Sequence, residues 1–411
     1  MRALFVHNNF PAQFLHLAPA LKARGWEIAA IGSPTARSIA NIPLTRYKLN
    51  RGTTDEIFPL AIRWEADAMR GAAVAGAAQV LQARGFTPDL IVGHVGWGET
   101  LFLPDIWPAA RNLTYAEFFV RPQGLDVGFD PEFGDVDLDR AMRVRVKNGA
   151  VLAALAQADA ALAPTRFQRD TFPAAFRNRI TICHDGIDTE EVRPREGACY
   201  TLPDGRALTA DDEVVTYLNR HLEPLRGLHI FLRALPDIMA RRPRAQIVIV
   251  GKDHPRPYGQ PAPAQTTWRD MYLQELSGQL DLSRLHFVGL LPRADYLNLL
   301  AISCAHVYLT YPFVLSWSLI EAMSAGCCIV ASDTAPVREV IADGKNGRLV
   351  RFFDRSALSE TVCEVLAAPD RFANLRQQAR ADAIAAFDLQ TVCLPRLVSL
   401  AEQTANSPKQ S

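Results

Sequence analysis

Short apolar runs alternate along this chain with longer amphipathic segments, the pattern of β-α-β units built on a parallel sheet. The first run, "ALFVHNN", is followed by "PAQFLHLAPALKARG", in which Phe14, Leu17, Ala18 and Leu21 share one helical face. Pro11 is expected to open that helix, because a first-turn residue has no internal partner for its N–H. Gly25 is expected to close it. The alternation continues through "EIAAIGS", an Ala-rich helix near 60–84, "DLIVGH" at 89–94, "NLTYAEFFV", a helix near 137–157, "DAALAPT" and "ITICHDGID". This set completes one doubly wound domain.

Between Thr189 and Asp212 the pattern breaks. "PREGACYTLPDGRALTADD" carries an Asp204-Gly205 turn between two short apolar runs, which predicts a small hairpin. A second series then starts with "EVVTYLN" and runs through "GLHIFLRALPDIMARR", "AQIVIVG", "LHFVGLL", "YLNLLAISC", "HVYLTYP", a helix around Glu321, "CCIVASD" and "GRLV". The halves match in size and type without a residue-level repeat. The expected organisation is a Rossmann-like N-terminal domain over 1–192 and a Rossmann-like C-terminal domain over 193–386. Residues 387–411 would form a helix near 388–403 that returns toward the first domain, and the frayed tail "NSPKQS". Two such α/β domains would face each other across a cleft, and open α/β sheets bind ligands beyond the carboxyl ends of their strands.

Composition narrows the classes of function. A chain of 411 residues with 49% hydrophobic and 21% charged residues is an ordinary soluble globular protein of two or three domains. Lys+Arg and Asp+Glu balance at 44 each, so nothing in the charge predicts a nucleic-acid partner. The seven Cys include no C-x-x-C pair or zinc-ligand spacing, and their odd number suits a reducing compartment. No stretch approaches the ~20 apolar residues that span a bilayer, and the N-terminus reads directly as a strand. The expected location is cytoplasmic, compatible with docking on the inner face of a membrane.

Candidate chemistry sits at predicted strand ends. In "YLNRHLEPLRGLHIF", Arg220 and Arg226 follow a strand and precede a helix. Their guanidinium forks match phosphate oxygens and would clamp a diphosphate, the alternative being two solvated loop arginines. In "HVYLTYPFVLSWSLIEAMSAG", the backbone N–H groups of Val314, Leu315, Ser316 and Trp317 lie at a helix N-terminus that Ser316 or Ser318 would cap, which makes an anion site. Glu321, one turn further in, would accept two hydrogen bonds from a ribose diol, or be a surface Glu on an amphipathic helix. "ASDTAPVREV" is a second strand-to-helix turn, with Thr334 as N-cap and Pro336 in the first turn. In the first half, "DLIVGHVGWGE" ends a strand with His94, then Gly96, Gly98 and Glu99, where glycines permit close approach of a ligand. Glu117 ends the next strand, where it contacts a sugar or pairs with an Arg. Asn8, Asn9 and Gln13 are sugar-binding amides or turn residues. The acidic stretch 121–139 lacks the order of a calcium loop and reads as a solvated loop or an acceptor-side lid. The Pro-rich stretch 251–268 reads as a surface excursion or a cover over a nucleotide.

The succession Arg220…Arg226-Gly227, then Glu321-Ala322-Met323 with Gly326, then "REVIADGKNGRLV", resembles the donor domain of family 4 retaining glycosyltransferases, of GT-B fold. "CHDGIDTEEVRP" at 183–194 is similar to that family's interdomain segment. "FVHNNFPAQFLHLAPAL" with "GHVGWGETLFLPDIWP" further resembles a branch that includes bacterial exopolysaccharide (galactoglucan-type) transferases. The resemblance implies that Arg220 and Arg226 hold the diphosphate, Arg226 standing where a Lys is usual. It implies that Glu321, the second acid of a Glu-x7-Glu motif, binds the ribose. Val314 to Trp317 and the Thr334 turn would contact the donor. His94 and Glu117 would join the arginines as catalytic groups, and Asn9, Gln13, Gly96 and Glu99 would lie on the acceptor side. No metal and no cofactor beyond a UDP-, GDP- or ADP-sugar is implied, and the acceptor would be a saccharide or a lipid-linked saccharide. Phe313 departs from the pattern by replacing the first acid, since phenyl cannot hydrogen-bond a sugar hydroxyl. The expected function is retaining hexosyl transfer in exopolysaccharide or cell-surface glycan synthesis. The rival is a degenerate GT-B protein that binds nucleotide sugar or glycan without catalysis. A dinucleotide-dependent dehydrogenase is disfavoured, because "FVHNNFPAQF" has no G-x-G-x-x-G after its strand.

Overall fold

The computed structural model describes residues 1–254 and 257–408. Pro255 and Arg256 of the Pro-rich stretch, and Lys409 to Ser411 of the expected frayed tail, lie outside the described residues. The chain forms two compact units, Met1–Gly186 with Leu389–Ser411, and Ile187–Asp388.

In the first unit β1 (Arg2–Val6), β2 (Glu27–Gly32), β3 (Leu44–Arg46), β4 (Leu90–His94), β5 (Arg111–Tyr115), β6 (Ala160–Ala163) and β7 (Ile180–Ile182) form one sheet. Its order is β3-β2-β1-β4-β5-β6-β7, and every pairing is parallel. Both faces of β1 are buried. Ala3 and Phe5 share a core with Leu17, Leu21 and the C-terminal residues Leu397, Val398 and Ala401. Leu4 and Val6 share another with Val74, Ala78 and Leu81 of the helix Ile62–Ala83. Each such aliphatic side chain contributes about 1.5–3 kcal/mol of burial, which is why the strand reads as an unbroken apolar run rather than an alternation.

Two helices differ from expectation. The first helix is Leu17–Ala23, and Ala12–Phe14 before it forms only a short 3-10 turn. Pro19 is responsible: its ring would meet the carbonyl four residues back, so it is tolerated only in a helix's first turn. The segment near 137–157 is two helices, Leu138–Lys147 and Gly149–Ala156, separated at Asn148. The Asn148 side-chain amide donates to the Val120 carbonyl at 2.7 Å and its Oδ1 accepts from the Val120 N–H at 3.2 Å, which ties the break to the loop after β5.

The second unit opens with the expected hairpin, β8 (Cys199–Thr201) antiparallel to β9 (Ala207–Thr209). Gly205 in its turn has φ 89°, a left-handed value that costs glycine little. The sheet that follows contains β10 (Val214–His221), β11 (Gln246–Lys252), β12 (Leu285–Phe287), β13 (Ala305–Tyr308), β14 (Ile329–Ser332) and β15 (Arg348–Val350), in the order β12-β11-β10-β13-β14-β15, all parallel. Each sheet therefore reverses its winding once, between β1 and β4 and between β10 and β13. Strand ends at such a reversal splay their following loops apart and leave a crevice. Among the described residues no helix is long and apolar enough to cross a membrane.

Candidate active site

In the second unit Arg220 and Arg226 belong to the end of β10 and the loop after it, Val314 to Trp317 and Glu321 to the loop and helix after β13, and Thr334 to the turn after β14; of these the structure brings Arg226 and Val314 into contact. Arg220 is exposed near the end of β10. The chain then makes a 3-10 turn, Pro224–Arg226, and enters the helix Leu228–Arg241 through Gly227 at φ 75°. The Arg226 guanidinium donates through Nη1 to Thr310 Oγ1 and to the Val314 carbonyl, both at 3.0 Å. Its own carbonyl accepts from Tyr217 Oη at 2.6 Å. Arg226 is thus a fixed group bridging the loops after β10 and β13, and the reading as a solvated loop arginine is overturned for it.

Phe313 has a specific place beside it. The ring is 4% exposed, the Arg226 guanidinium lies 5.4 Å over its centroid, and the Tyr258 ring packs at 5.2 Å. The arginine stands on an aromatic face where the family pattern has a carboxylate. Glu223 in the same turn is 2% exposed and accepts the Gly259 N–H at 2.6 Å. Burial pushes its carboxyl up, against that hydrogen bond and the charge of Arg226.

The helix Trp317–Ser324 begins as expected, with Ser316 Oγ capping the Ser318 N–H at 3.3 Å. The Ser316 N–H does not point to open space: it donates to Tyr308 Oη at 2.9 Å. The loop bends back onto β13, so this amide is engaged within the protein. Glu321 is not a lone surface acid. Its side chain is 13% exposed, Oε1 accepts from Arg293 Nη1, and Oε2 accepts from Tyr296 Oη at 2.6 Å. Arg293 also reaches Glu191 at 2.6 Å. Burial weakens the charged form of Arg293, but the two carboxylates outweigh it and hold its pKa above the ordinary value. Thr334 stands at the N-cap position of Ala335–Arg338 without capping it; its hydroxyl lies 3.4 Å from Ser332 Oγ, 5% of the residue being exposed.

In the first unit a second cluster occupies the reversal between β1 and β4. His94 ends β4 with 2% exposure. Its Nδ1 accepts the Gly96 N–H at 3.0 Å, so the proton of the neutral ring sits on Nε2, 3.4 Å from Glu117 Oε2. Glu117 Oε1 accepts from Gln13 Nε2 at 3.1 Å. Glu117 thus meets a histidine and an amide here. The imidazole is stacked between Trp97, at 4.5 Å, and Tyr115, at 5.4 Å. Gln13, His94, Gly96 and Glu117 are therefore brought together. Asn9 is exposed, and its N–H closes a turn onto His7 Nδ1 at 2.9 Å. Glu99 does not join them. Gly98 at φ 86° turns the chain inward, and Glu99 is 1% exposed with Oε1 accepting from Tyr47 Oη at 3.0 Å. Burial pushes its carboxyl pKa up, so it is a core group rather than one that meets an acceptor.

Sequence reasoning missed Thr310, Tyr258, Arg293, Tyr296, Trp97 and Tyr115. Tyr115 carried a local signal, since it lies two residues before Glu117 and so on the same side of an extended chain. Trp97 lies in the turn that follows His94, three residues on, and the rest arrive from separate segments. In the acidic stretch 121–139, Asp130 and Asp137 serve as caps, accepting the N–H groups of Glu132 at 3.0 Å and Arg140 at 2.8 Å.

Comparison with known proteins agrees with this architecture. Residues 24–192 match the model of the glycosyl transferase family 4 group, and residues 203–382 match glycosyl transferases group 1. Phosphatidyl-myo-inositol mannosyltransferase of Mycolicibacterium smegmatis is 32% identical over 160 residues, covering 38% of this chain and 36% of the relative. The chain thus spans about a third of the length of the first curated relatives it matches, 36% and 37%. A GDP-mannose-dependent alpha-(1-6)-phosphatidylinositol monomannoside mannosyltransferase of the same organism is 26% identical over 291 residues, 68% of each chain. Among solved structures, sucrose-phosphate synthase from Thermosynechococcus elongatus superposes with a TM-score of 0.74 at 18% identity, covering 99% of this chain and 100% of that one. Anabaena HepE, solved with UDP-glucose, gives 0.66 at 18% identity over 98% and 100%. The structural likenesses establish the GT-B fold, and the two halves of the chain match the models of the glycosyl transferase family 4 group and of glycosyl transferases group 1.

Proposed function

We propose that this protein is a retaining glycosyltransferase that moves a hexose from a UDP-, GDP- or ADP-sugar to a saccharide or lipid-linked saccharide, in bacterial exopolysaccharide or cell-surface glycan synthesis. The observation that carries the proposal is the seat of Arg226, held at 3.0 Å by Thr310 and Val314 at the reversal of the second sheet. On this proposal the guanidinium so held meets phosphate oxygens. In this reading residues 193–386 bind the donor and residues 1–192 serve the acceptor. Arg226 and Arg220 stabilise charge on the departing diphosphate, which is the main demand of the step. The acceptor hydroxyl attacks from the leaving-group side, so no protein nucleophile is required, and the family resemblance implies no metal. Glu321, Val314, Leu315, Trp317 and Thr334 contact the nucleotide and sugar, the Ser316 amide being held by Tyr308; His94, Glu117, Gln13 and Asn9 contact the sugar or acceptor. The names of the mannosyltransferase relatives support a lipid-linked acceptor.

A second reading, a protein that binds a nucleotide sugar or glycan without transferring, is favoured by Phe313 alone. One experiment separates the two: titration with a panel of UDP-, GDP- and ADP-sugars, with hydrolysis and transfer measured in parallel. Binding with turnover of one donor supports the transferase. Binding with no hydrolysis or transfer from any donor supports the second reading, and binding of none removes both.

A further inference from the structure

We infer that Asp67 is a positioning residue for His94, acting through Arg63, Arg70 and the turn that follows β4. The inference rests on the proposed role of His94. Asp67 lies on the helix Ile62–Ala83 and is 1% exposed. Its Oδ2 accepts from Arg63 Nε at 2.9 Å and its Oδ1 from Arg70 Nη1 at 2.8 Å. Each arginine passes the contact on. Arg63 Nη2 donates to the Gly96 carbonyl at 2.6 Å, and Arg70 Nη1 to the Trp97 carbonyl at 3.3 Å. The residues so held are the two that fix the imidazole: the Gly96 N–H on Nδ1 at 3.0 Å, and the Trp97 ring stacked on it at 4.5 Å and 25°. Helix and turn also touch directly, since a Cβ at Gly98 would overlap the Asp67 backbone and one at Gly71 would come within 2.8 Å of the Gly98 carbonyl.

The charge arrangement favours positioning over mere packing. An apolar residue at 67 would fill the same space without taking a carboxylate out of water, and replacing buried ion pairs by packed apolar groups is often neutral or stabilising. Burial does push the Asp67 carboxyl up, against Arg63 and Arg70. What an apolar side chain cannot do is hold two guanidiniums against two successive carbonyls. Those carbonyls lie in the Gly96–Trp97 and Trp97–Gly98 peptides, directly after the Val95–Gly96 peptide whose N–H reaches His94, so the arginines anchor Gly96 from its carbonyl side; that N–H selects the tautomer with the proton on Nε2, toward Glu117. Without the clamp the turn relaxes and the two tautomers compete.

The test uses the full chain with labelled histidine, reading the His94 ring nitrogens by NMR, alongside donor kinetics for the parent and Asp67→Asn. The parent should show one tautomer, protonated on Nε2. Asp67→Asn should show mixed tautomers, and kcat should fall by about tenfold or more with the donor KM nearly unchanged, as for a small misplacement of a catalytic group. A folded Asp67→Asn variant whose His94 nitrogens match the parent overturns the inference. If that variant does not fold, Arg63→Met, at a more exposed position, breaks the Gly96 arm alone and must move the same signals; unmoved signals overturn the inference equally. A parent that turns over no donor removes the transferase reading, while the tautomer measurement still decides the role of Asp67.

Discussion

At Phe313 a ring replaces an acid, and the exchange changes what Arg226 can do. A carboxylate at this position would pair with the guanidinium and compete with any bound anion. The ring supports the cation through its face, worth about 0.5–2 kcal/mol, and adds no negative charge beside it. Phe313→Glu should therefore weaken nucleotide binding and restore no activity, checked by calorimetry with the free nucleoside diphosphate; tighter binding would refute this account. Arg226→Ala should raise the barrier to transfer by about 2–4 kcal/mol, the range for losing an electrostatic group that acts in the transition state; an unchanged kcat/KM in a folded variant would remove Arg226 from the chemistry. Glu321→Ala should act on affinity instead, because ribose contacts are shared by ground and transition states. It should lower nucleotide affinity by about 1.5–3 kcal/mol, the value of hydrogen bonds to a charged group. The Tyr296 and Arg293 contacts to that carboxylate must open for the ribose to bind in this way.

At the scale of elements, glycines separate turns that position the site from segments that merely tolerate them. Gly227 joins the Arg226 turn to its helix at φ 75°, and an added Cβ would overlap Leu309 after β13. Gly227→Ala should destabilise the protein by more than about 1 kcal/mol, since both the backbone angle and the space are wrong. Gly76 is the opposite case. It lies in the interior of the helix Ile62–Ala83, and a Cβ there meets nothing within 4 Å. Gly76→Ala should stabilise by about 0.5–1 kcal/mol. Thermal unfolding of the two variants should shift in opposite directions, and a fall in both would contradict the reading of the helix position.

Across the whole molecule, each unit holds a buried histidine that must stay neutral. Burial pushes His184 in the first unit down to about 4 and His306 in the second down to about 3. A folded pKa below the unfolded value of about 6.5 means that the unfolded chain binds more protons in the interval. The stability these groups contribute is therefore complete above pH 6.5 and is lost as pH falls toward 4 and 3, at up to about 1.4 kcal/mol per pH unit for each. Buried carboxyls such as Glu99 and Glu223, pushed up by burial, work in the opposite sense, because they bind protons more readily folded than unfolded. A single substitution isolates one histidine. His306 Nδ1 meets Thr216 Oγ1 at 2.9 Å, a contact that Asn can reproduce, so His306→Asn should make the fall of Tm between pH 7 and 5 shallower than in the parent. An identical slope would show that His306 is not among its causes.

The β-α alternation, the Asp204-Gly205 hairpin and the Arg, Glu and strand-end His positions were all legible along the chain, because strand and helix periodicity and turn chemistry are local properties. The first helix was misplaced for a local reason too, a proline read as an opener when Pro19 sets the start. What periodicity does not encode is which loops meet. Both sheets reverse at a point defined by strand order, and strand order is a long-range choice. Only there do Thr310 and Val314 come to Arg226, Tyr296 and Arg293 to Glu321, and Gln13 to Glu117 from 104 residues away. The same holds for Glu99, which looked like a site acid by its place after a strand and is a buried partner of Tyr47. A residue's type and spacing state what chemistry it can offer. Whether that chemistry faces a ligand, a neighbouring side chain or the core is decided by packing between segments far apart in sequence.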